Sequence, residues 1–273
     1  MFPQLSGLTL GSLVLVALAP ASEADVAKAA RGVKQIIAHR GASLECPENT
    51  LAAARRAIAV GATATEIDIR TSKDGVLVCS HDATLDRTTN GKGPINAHTL
   101  AELKQLDAGS WFDPKFKDER IPTLVEVLEL CRGKIHILLD LKETGDDYIQ
   151  RVVATVRKHG NPKEIIVGVR SVEQAKQFRQ LLPEAQLLGL IPKPDDIESF
   201  AAAGVHAIRL WPKWLTDRTL VAKVKNLGLQ LHINGSKGTK EEVLPLLTFE
   251  PTSLSSDDPG QLIATLRELR GKK

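Results

Sequence analysis

After residue 34 the spacing of apolar and polar positions switches repeatedly between two periods. Short runs rich in Ile, Val and Leu read as strands at Gln35–His39, Thr65–Arg70, Val76–Ser80, Ile135–Leu141, Ile165–Val169, Gln186–Ile191, Ala207–Leu210, Gln230–Ile233 and Thr252–Ser255. Between them, apolar residues recur at helical spacing over Asn49–Val60, Leu124–Cys131, Asp147–His159, Val172–Leu182, Asp195–Ala203, Asp217–Leu227, Lys240–Leu247 and Gly260–Arg270. Strands alternating with helices predict βα units around a parallel sheet. The link Thr71-Ser72-Lys73-Asp74-Gly75 is too short for a parallel crossover, and Asp-Gly is a hairpin signal. The second and third runs are therefore expected to pair antiparallel. Setting the hairpin return aside leaves eight strands, which predicts the α/β class and a single (β/α)8 TIM barrel. The stretch of about 82–122, rich in Gly, Asn, Thr and Pro with Trp111, Phe112 and Phe116 clustered, breaks the rhythm and reads as an insertion at the barrel mouth.

The barrel is assigned to residues 33–273, and residues 1–24 have a different character. Leu8–Leu18 is apolar and uncharged, too short to span a bilayer as a mature helix but suited to a signal-peptide core. Ala19-Pro20-Ala21 and Ser22-Glu23-Ala24 resemble cleavage sites, although no Lys or Arg precedes the apolar run. An exported protein, periplasmic or secreted, without a stable membrane span in its mature chain is the expectation. No Cys lies near the junction, which argues against a lipoprotein anchor.

Composition narrows the function classes only slightly. The net charge is +3 and no basic patch is interleaved with aromatics, so nucleic acid is not an expected partner. Cys46, Cys79 and Cys131 are an odd set without CxxC spacing, against a disulfide framework or a zinc site.

The chemistry concentrates between Ile37 and Asp82. His39-Arg40-Gly41 closes the first strand, where a barrel carries its active site. Arg offers a forked donor for phosphate, and Gly allows close backbone approach. Glu66 and Asp68 alternate with Ile67 and Ile69, so the carboxylates face the interior while the isoleucines face the helices. Paired inward carboxylates need a compensating cation or basic partner, and hard oxygens favour Ca2+ or Mg2+ as the cation. The hairpin folds His81 back beside them. Asp140 and Lys142 repeat the two-residue spacing on another core strand. Two imidazoles, an anion-binding Arg and carboxylates for a cation describe metal-assisted phosphoryl chemistry. His98, His136, His159 and His206 are read as surface or packing residues; His232 shares its strand with Asn234. Trp211-Pro-Lys-Trp214 follows the seventh strand and is read as an aromatic pair of the core or surface, with the lining of a pocket as the alternative.

The segments AHRGAS, PENT, TEIDIRTSKDGVLVCSHD, LDRTTNG, RIPTLVEVLEL and LLDLK, with a weaker match at SSDDP, resemble the glycerophosphodiester phosphodiesterase family. The resemblance covers most of the chain after residue 34. It implies a (β/α)8 barrel hydrolysing glycerophosphodiesters to glycerol 3-phosphate and an alcohol, with a small-molecule partner and a divalent cation. Position by position it implies His39 and His81 as the general acid/base pair. It likewise implies Arg40 and Lys142 at the phosphate, Glu66, Asp68 and Asp140 as metal ligands, and Glu48 and Asn49 in support. The chain departs from the family at three places. Asp140 stands where Glu is usual, Gln230–Asn234 reads QLHIN rather than a WTVN-like run, and the late motif reads Ser256-Asp257-Asp258-Pro259. Barrel phosphodiesterases acting on lysophospholipids or phospholipids, sphingomyelinase-D-like or phosphatidylinositol phospholipase-like, share the two-histidine logic. A non-catalytic phosphodiester-binding barrel is the third reading.

Overall fold

Side-chain alternation sorts the strand residues into two populations, and that sorting builds the barrel. The computed structural model describes residues 22–271. Its strands are β1 (Gln35–Ala38), β2 (Ala64–Thr71), β3 (Leu77–Cys79), β4 (His136–Leu141), β5 (Ile165–Val169), β6 (Gln186–Gly189), β7 (Ala207–Leu210), β8 (Gln230–Ser236) and β9 (Ser253–Ser256). Ile36, Ala38, Ile67, Ile69, Ile137, Leu139 and Leu141 face outward into the main core, against the helices. Ile37, Ala64, Leu138, Ile166, Leu188 and Leu190 face inward and fill the barrel floor as a second cluster. The strand order β1-β9-β8-β7-β6-β5-β4-β2 closes through β1–β2 pairing, giving eight parallel strands.

The helices are α1 (Glu23–Gly32), α2 (Leu51–Val60), α3 (Leu100–Leu103), α4 (Leu124–Cys131), α5 (Asp146–His159), α6 (Val172–Leu181), α7 (Ile197–Ala202), α8 (Arg218–Asn226), α9 (Lys240–Leu247) and α10 (Pro259–Leu269). Most begin where a side chain satisfies a free backbone N–H. Thr50, Ser171 and Asp258 cap α2, α6 and α10, and Thr123 forms a reciprocal capping box with Glu126 at α4. Helix α1 precedes the first expected strand and packs against α10 and α9. Its cap is Ser22, whose side chain accepts from Asp25 N. The apolar run Leu8–Leu18 and Ala19-Pro20-Ala21 lie outside the described residues.

The expected hairpin is present. Strand β1 ends at Ala38, so beyond Thr65 that edge of β2 would be unpaired; β3 takes it over, antiparallel, from Ile69↔Cys79 to Thr71↔Leu77. The inserted segment that follows has a small core of its own. Val78, Leu85, Ile95, Leu103, Ala108 and Ile121 form it, separate from the main core. Phe112 packs edge-on to both Trp111 and Phe116. All three cysteines are buried and unpaired.

Above the apolar floor the interior becomes polar, and His232 marks the change. It is buried, and its Nδ1 lies 2.7 Å from Ser253 Oγ. Burial, then the charges of Arg209 and His39, pull its pKa down to about 3 from 6.5. The unfolded chain therefore takes up a proton here below about pH 6.5 that the folded protein refuses until near pH 3. This group's contribution to stability is complete above the upper value and is lost as pH falls toward the lower one. Urea midpoints at pH 7 and pH 4.5 test this, with ~ order-one kcal/mol per pKa unit at stake. Wild type should lose more stability across that interval than His232→Gln, and equal losses would remove His232 from the account.

Candidate active site

Backbone conformation sets the first half of the site. At the end of β1, Arg40 and Gly41 both take positive φ, 57° and 81°. A side chain at Gly41 would place its Cβ 2.5 Å from Ala53 Cβ, so only glycine lets this loop lie on α2. The turn aims the Arg40 N–H at Glu66 Oε2, 2.6 Å away. Asn49 also has positive φ, 58°. Its amide brackets Asp68, donating from Nδ2 to Oδ2 at 2.7 Å and accepting the Asp68 N–H at 3.0 Å.

Register sets the second half. Asp68 on β2 pairs with Asp140 on β4, and Glu66 lies one inward position below Asp68. All three carboxylates are buried, and one oxygen from each lies within 4.8 Å of the others. Lys142 Nζ is 2.7 Å from Asp68 Oδ1 and 2.8 Å from Asp140 Oδ2, and Arg170 Nη2 is 2.5 Å from Asp140 Oδ1. The Lys142 contact to Asp68 Oδ1 lacks hydrogen-bond angles, so that oxygen is buried without a hydrogen bond. Burial, then the neighbouring Asp68 charge, raises the Glu66 pKa well above the carboxylate range. Burial also pushes Asp140 upward, but Lys142 and Arg170 outweigh it and hold the group low. Three buried carboxylates, each offering an oxygen within 4.8 Å of the others, fit a divalent cation.

The two imidazoles are each held by a carboxylate. His39 Nδ1 is 2.7 Å from Asp257 Oδ1, which also accepts from Ser43 Oγ at 3.3 Å. Asp257 follows β9, the neighbour of β1, so sheet closure brings together residues 218 positions apart. His81 Nδ1 is 2.8 Å from Asp82 Oδ1. Both contacts leave Nε2 available to the cavity. Asp82 belongs to a longer chain of charges. Arg87 Nε donates to Asp82 Oδ2 at 2.6 Å, while its Nη1 and Nη2 donate to Glu48 at 2.7 and 2.8 Å. Glu48 Oε1 in turn accepts from Arg40 Nη1 at 3.0 Å.

These groups open on a cavity of about 870 Å3, with His39, Arg40, Asp68, His81, Asp140 and Lys142 on one wall and Arg209, Trp211 and Asn234 on the other. The residues picked from the sequence thus come together at one end of the barrel, with Glu66 just below the cavity wall and Glu48 and Asn49 hydrogen-bonded to Arg40 and Asp68. Sequence reasoning missed Asp257, Arg87, Arg170 and Arg209. Asp257 stood only in the weak SSDDP match, and Arg87 in the matched LDRTTNG segment. Trp211 and Trp214 do not act as a pair. Trp211 lines the cavity, whereas Trp214 packs on the main core, because the turn at Pro212–Trp214 sends them different ways.

A profile of the Glycerophosphoryl diester phosphodiesterase family matches residues 39–261. A glycerophosphodiester phosphodiesterase of Caldanaerobacter subterraneus is 33% identical over 239 residues, covering 85% of this chain and 98% of that protein. One of Bacillus subtilis is 34% identical over 218 residues, covering 72% and 74%. Among solved structures, an Oleispira antarctica phosphodiesterase in complex with the product sn-glycerol-3-phosphate is 28% identical. It superposes with a TM-score of 0.79, covering 88% of this chain and 99% of that one. A glycerophosphodiester phosphodiesterase from Agrobacterium tumefaciens is 31% identical with a TM-score of 0.74, covering 84% and 99%.

The His39–Asp257 pair carries a direct test. Burial pushes the His39 pKa down, but the bond to Asp257 and the charge of Glu66 overcome this and leave it above 6.5. Asp257→Asn removes a negative charge and should move the His39 titration to lower pH in an NMR titration. A value unchanged by the substitution would leave Asp257 no electrostatic hold on the imidazole.

Proposed function

Because this chain belongs to the glycerophosphoryl diester phosphodiesterase family and hydrolyses glycerophosphodiesters, we propose that His39 and His81 are its general acid–base pair and that the products are sn-glycerol 3-phosphate and an alcohol. One observation carries the reading. Two imidazoles, each tied at Nδ1 to a carboxylate, line the same cavity as a buried carboxylate triad. Glu66, Asp68 and Asp140 would hold a divalent cation, Ca2+ or Mg2+, which when bound polarises a phosphoryl oxygen and offsets charge there.

The chain's own groups do the rest. Arg40, steadied by Glu48, presents its guanidinium to the phosphodiester, and Lys142 adds a second positive charge beside it. One imidazole Nε2 takes the proton from the attacking oxygen, of water or of the adjacent glycerol hydroxyl. An O–P bond forms at phosphorus as the bond to the alcohol oxygen breaks, and the other imidazole gives its proton to that leaving alkoxide. Attack by water yields glycerol 3-phosphate directly; attack by the glycerol hydroxyl yields a cyclic phosphate, which a water molecule then opens with the two imidazoles exchanging roles. Asp257 and Asp82 fix the ring orientations and stabilise whichever ring is cationic.

Coupled detection of glycerol 3-phosphate release tests the reading. The panel is glycerophosphocholine, glycerophosphoethanolamine and glycerophosphoglycerol, with lysophosphatidylcholine as the contrasting substrate. His39→Ala and His81→Ala should each lower turnover by about 10²–10⁴-fold. A chelator should abolish wild-type release, and added Ca2+ or Mg2+ should restore it. Near-normal turnover in both histidine variants would overturn the assignment.

We also propose export, on the strength of the apolar run Leu8–Leu18. Cleavage after Ala21 leaves the Ser22 cap of α1 intact, whereas cleavage after Ala24 removes it together with the first helical residues. The protein should be recovered from the periplasm or medium with Ser22 as its first residue, and recovery in the cytoplasm alone with Met1 intact would refute the proposal.

A further inference from the structure

Four cationic side chains line the large cavity, and three of them are already paired. Arg40 is held by Glu48, Lys142 by Asp68 and Asp140, and Arg170 by Asp140. Arg209 has no carboxylate within ion-pair distance among the described residues, and its Nε is buried without a hydrogen bond. Burial pulls its pKa down to about 10, which leaves it charged at neutral pH. An unpaired, half-buried guanidinium is costly to keep.

Its placement explains what the charge faces. Arg209 lies on β7 between Ile208 and Leu210, which are buried in the outer core, so its side chain enters the barrel. In the closed order of strands, β7 stands four strands from β2 in either direction, directly across the barrel from Glu66 and Asp68. The guanidinium carbon lies 4.1 Å from the centre of the Trp211 ring. Attraction to the face of the Trp211 ring braces the guanidinium from one side, and its N–H groups can donate as a fork to two oxygens. No other cation enters the cavity from this side among the residues that line it.

We propose that Arg209, braced by Trp211, is a further substrate-binding residue, the group that holds the phosphoryl oxygen turned away from the carboxylate triad. Arg40 and Lys142 grip the phosphate from the β1, β2 and β4 side, and Arg209 completes the enclosure from β7. The inference rests on the phosphodiesterase reading and adds a second wall to its phosphate site. The alternative role for Arg209 is neutralisation of the triad through space, with no contact to phosphate.

Calorimetric titration of the cation-loaded protein with sn-glycerol 3-phosphate separates these roles, alongside a titration of the cation-free protein with Ca2+ or Mg2+ alone. Arg209→Met, close in volume, should weaken glycerol 3-phosphate binding by about 10–100-fold, as expected for losing charge-assisted hydrogen bonds. Arg209→Lys should recover part of it, since an ammonium supplies charge without the fork. Trp211→Leu should cost less than Arg209→Met, and cation affinity should stay within about threefold of wild type throughout, given that Arg209 bonds no carboxylate. Unchanged glycerol 3-phosphate affinity in Arg209→Met would overturn the proposal, as would a rise in cation affinity beyond that range, the sign expected if Arg209 only offsets the charge of the triad. Failure of the loaded wild type to bind glycerol 3-phosphate would instead defeat the activity reading beneath it, and the proposal with it.

Discussion

Three carboxylates buried side by side at the top of β2 and β4 are the arrangement to which the rest of the site answers. Like charges this close repel strongly in a low-dielectric interior, so the fold must supply compensation from every direction. It does so with different chemistry on each side. The Arg40 N–H points at Glu66 because the chain turns through two left-handed residues. The Asn49 amide clasps Asp68, and Lys142 and Arg170 converge on Asp140. The raised pKa of Glu66 marks the charge that these contacts leave uncompensated, and a divalent cation would take it up.

A second layer of contacts couples groups that the reaction uses separately. Arg87 bonds both Asp82, which orients His81, and Glu48, which steadies Arg40. His81 and Arg40, proposed for proton transfer and phosphate binding, thereby share one support, and neither can shift without disturbing the other. Such networks resist partial rearrangement, because breaking one member leaves a buried or half-buried charge without its partner.

Much of this was legible in the sequence, for reasons of period. Alternation of Glu66, Ile67, Asp68 and Ile69 fixed which side chains face inward, and the Asp74-Gly75 turn fixed the return of β3. The same alternation around Arg209, between Ile208 and Leu210, carried an equally readable signal that went unused. Asp257 was out of reach in a different way. Only the β1–β9 closure brings it to His39, and a contact across 218 residues leaves no local trace. Helix α1 escaped although its apolar period matches that of helices that were read, because it precedes the first strand and adjoins an apolar leader and its cleavage-site-like residues. The two tryptophans after β7 looked like a pair because sequence proximity hides the turn between them.

The inserted segment with a core of its own gives the catalytic centre a seam. His81 and Asp82 follow β3, whose Val78 packs with Leu85, Ile95 and Leu103 of the insertion while its Leu77 and Cys79 pack in the main core behind the carboxylate-bearing strands. Regions with separate cores open as separate units, each with its own free energy. Loosening the insertion's own cluster would shift His81 while the barrel strands that carry the carboxylates stay paired, so the spacing of the proposed acid–base pair can change without unfolding of the barrel.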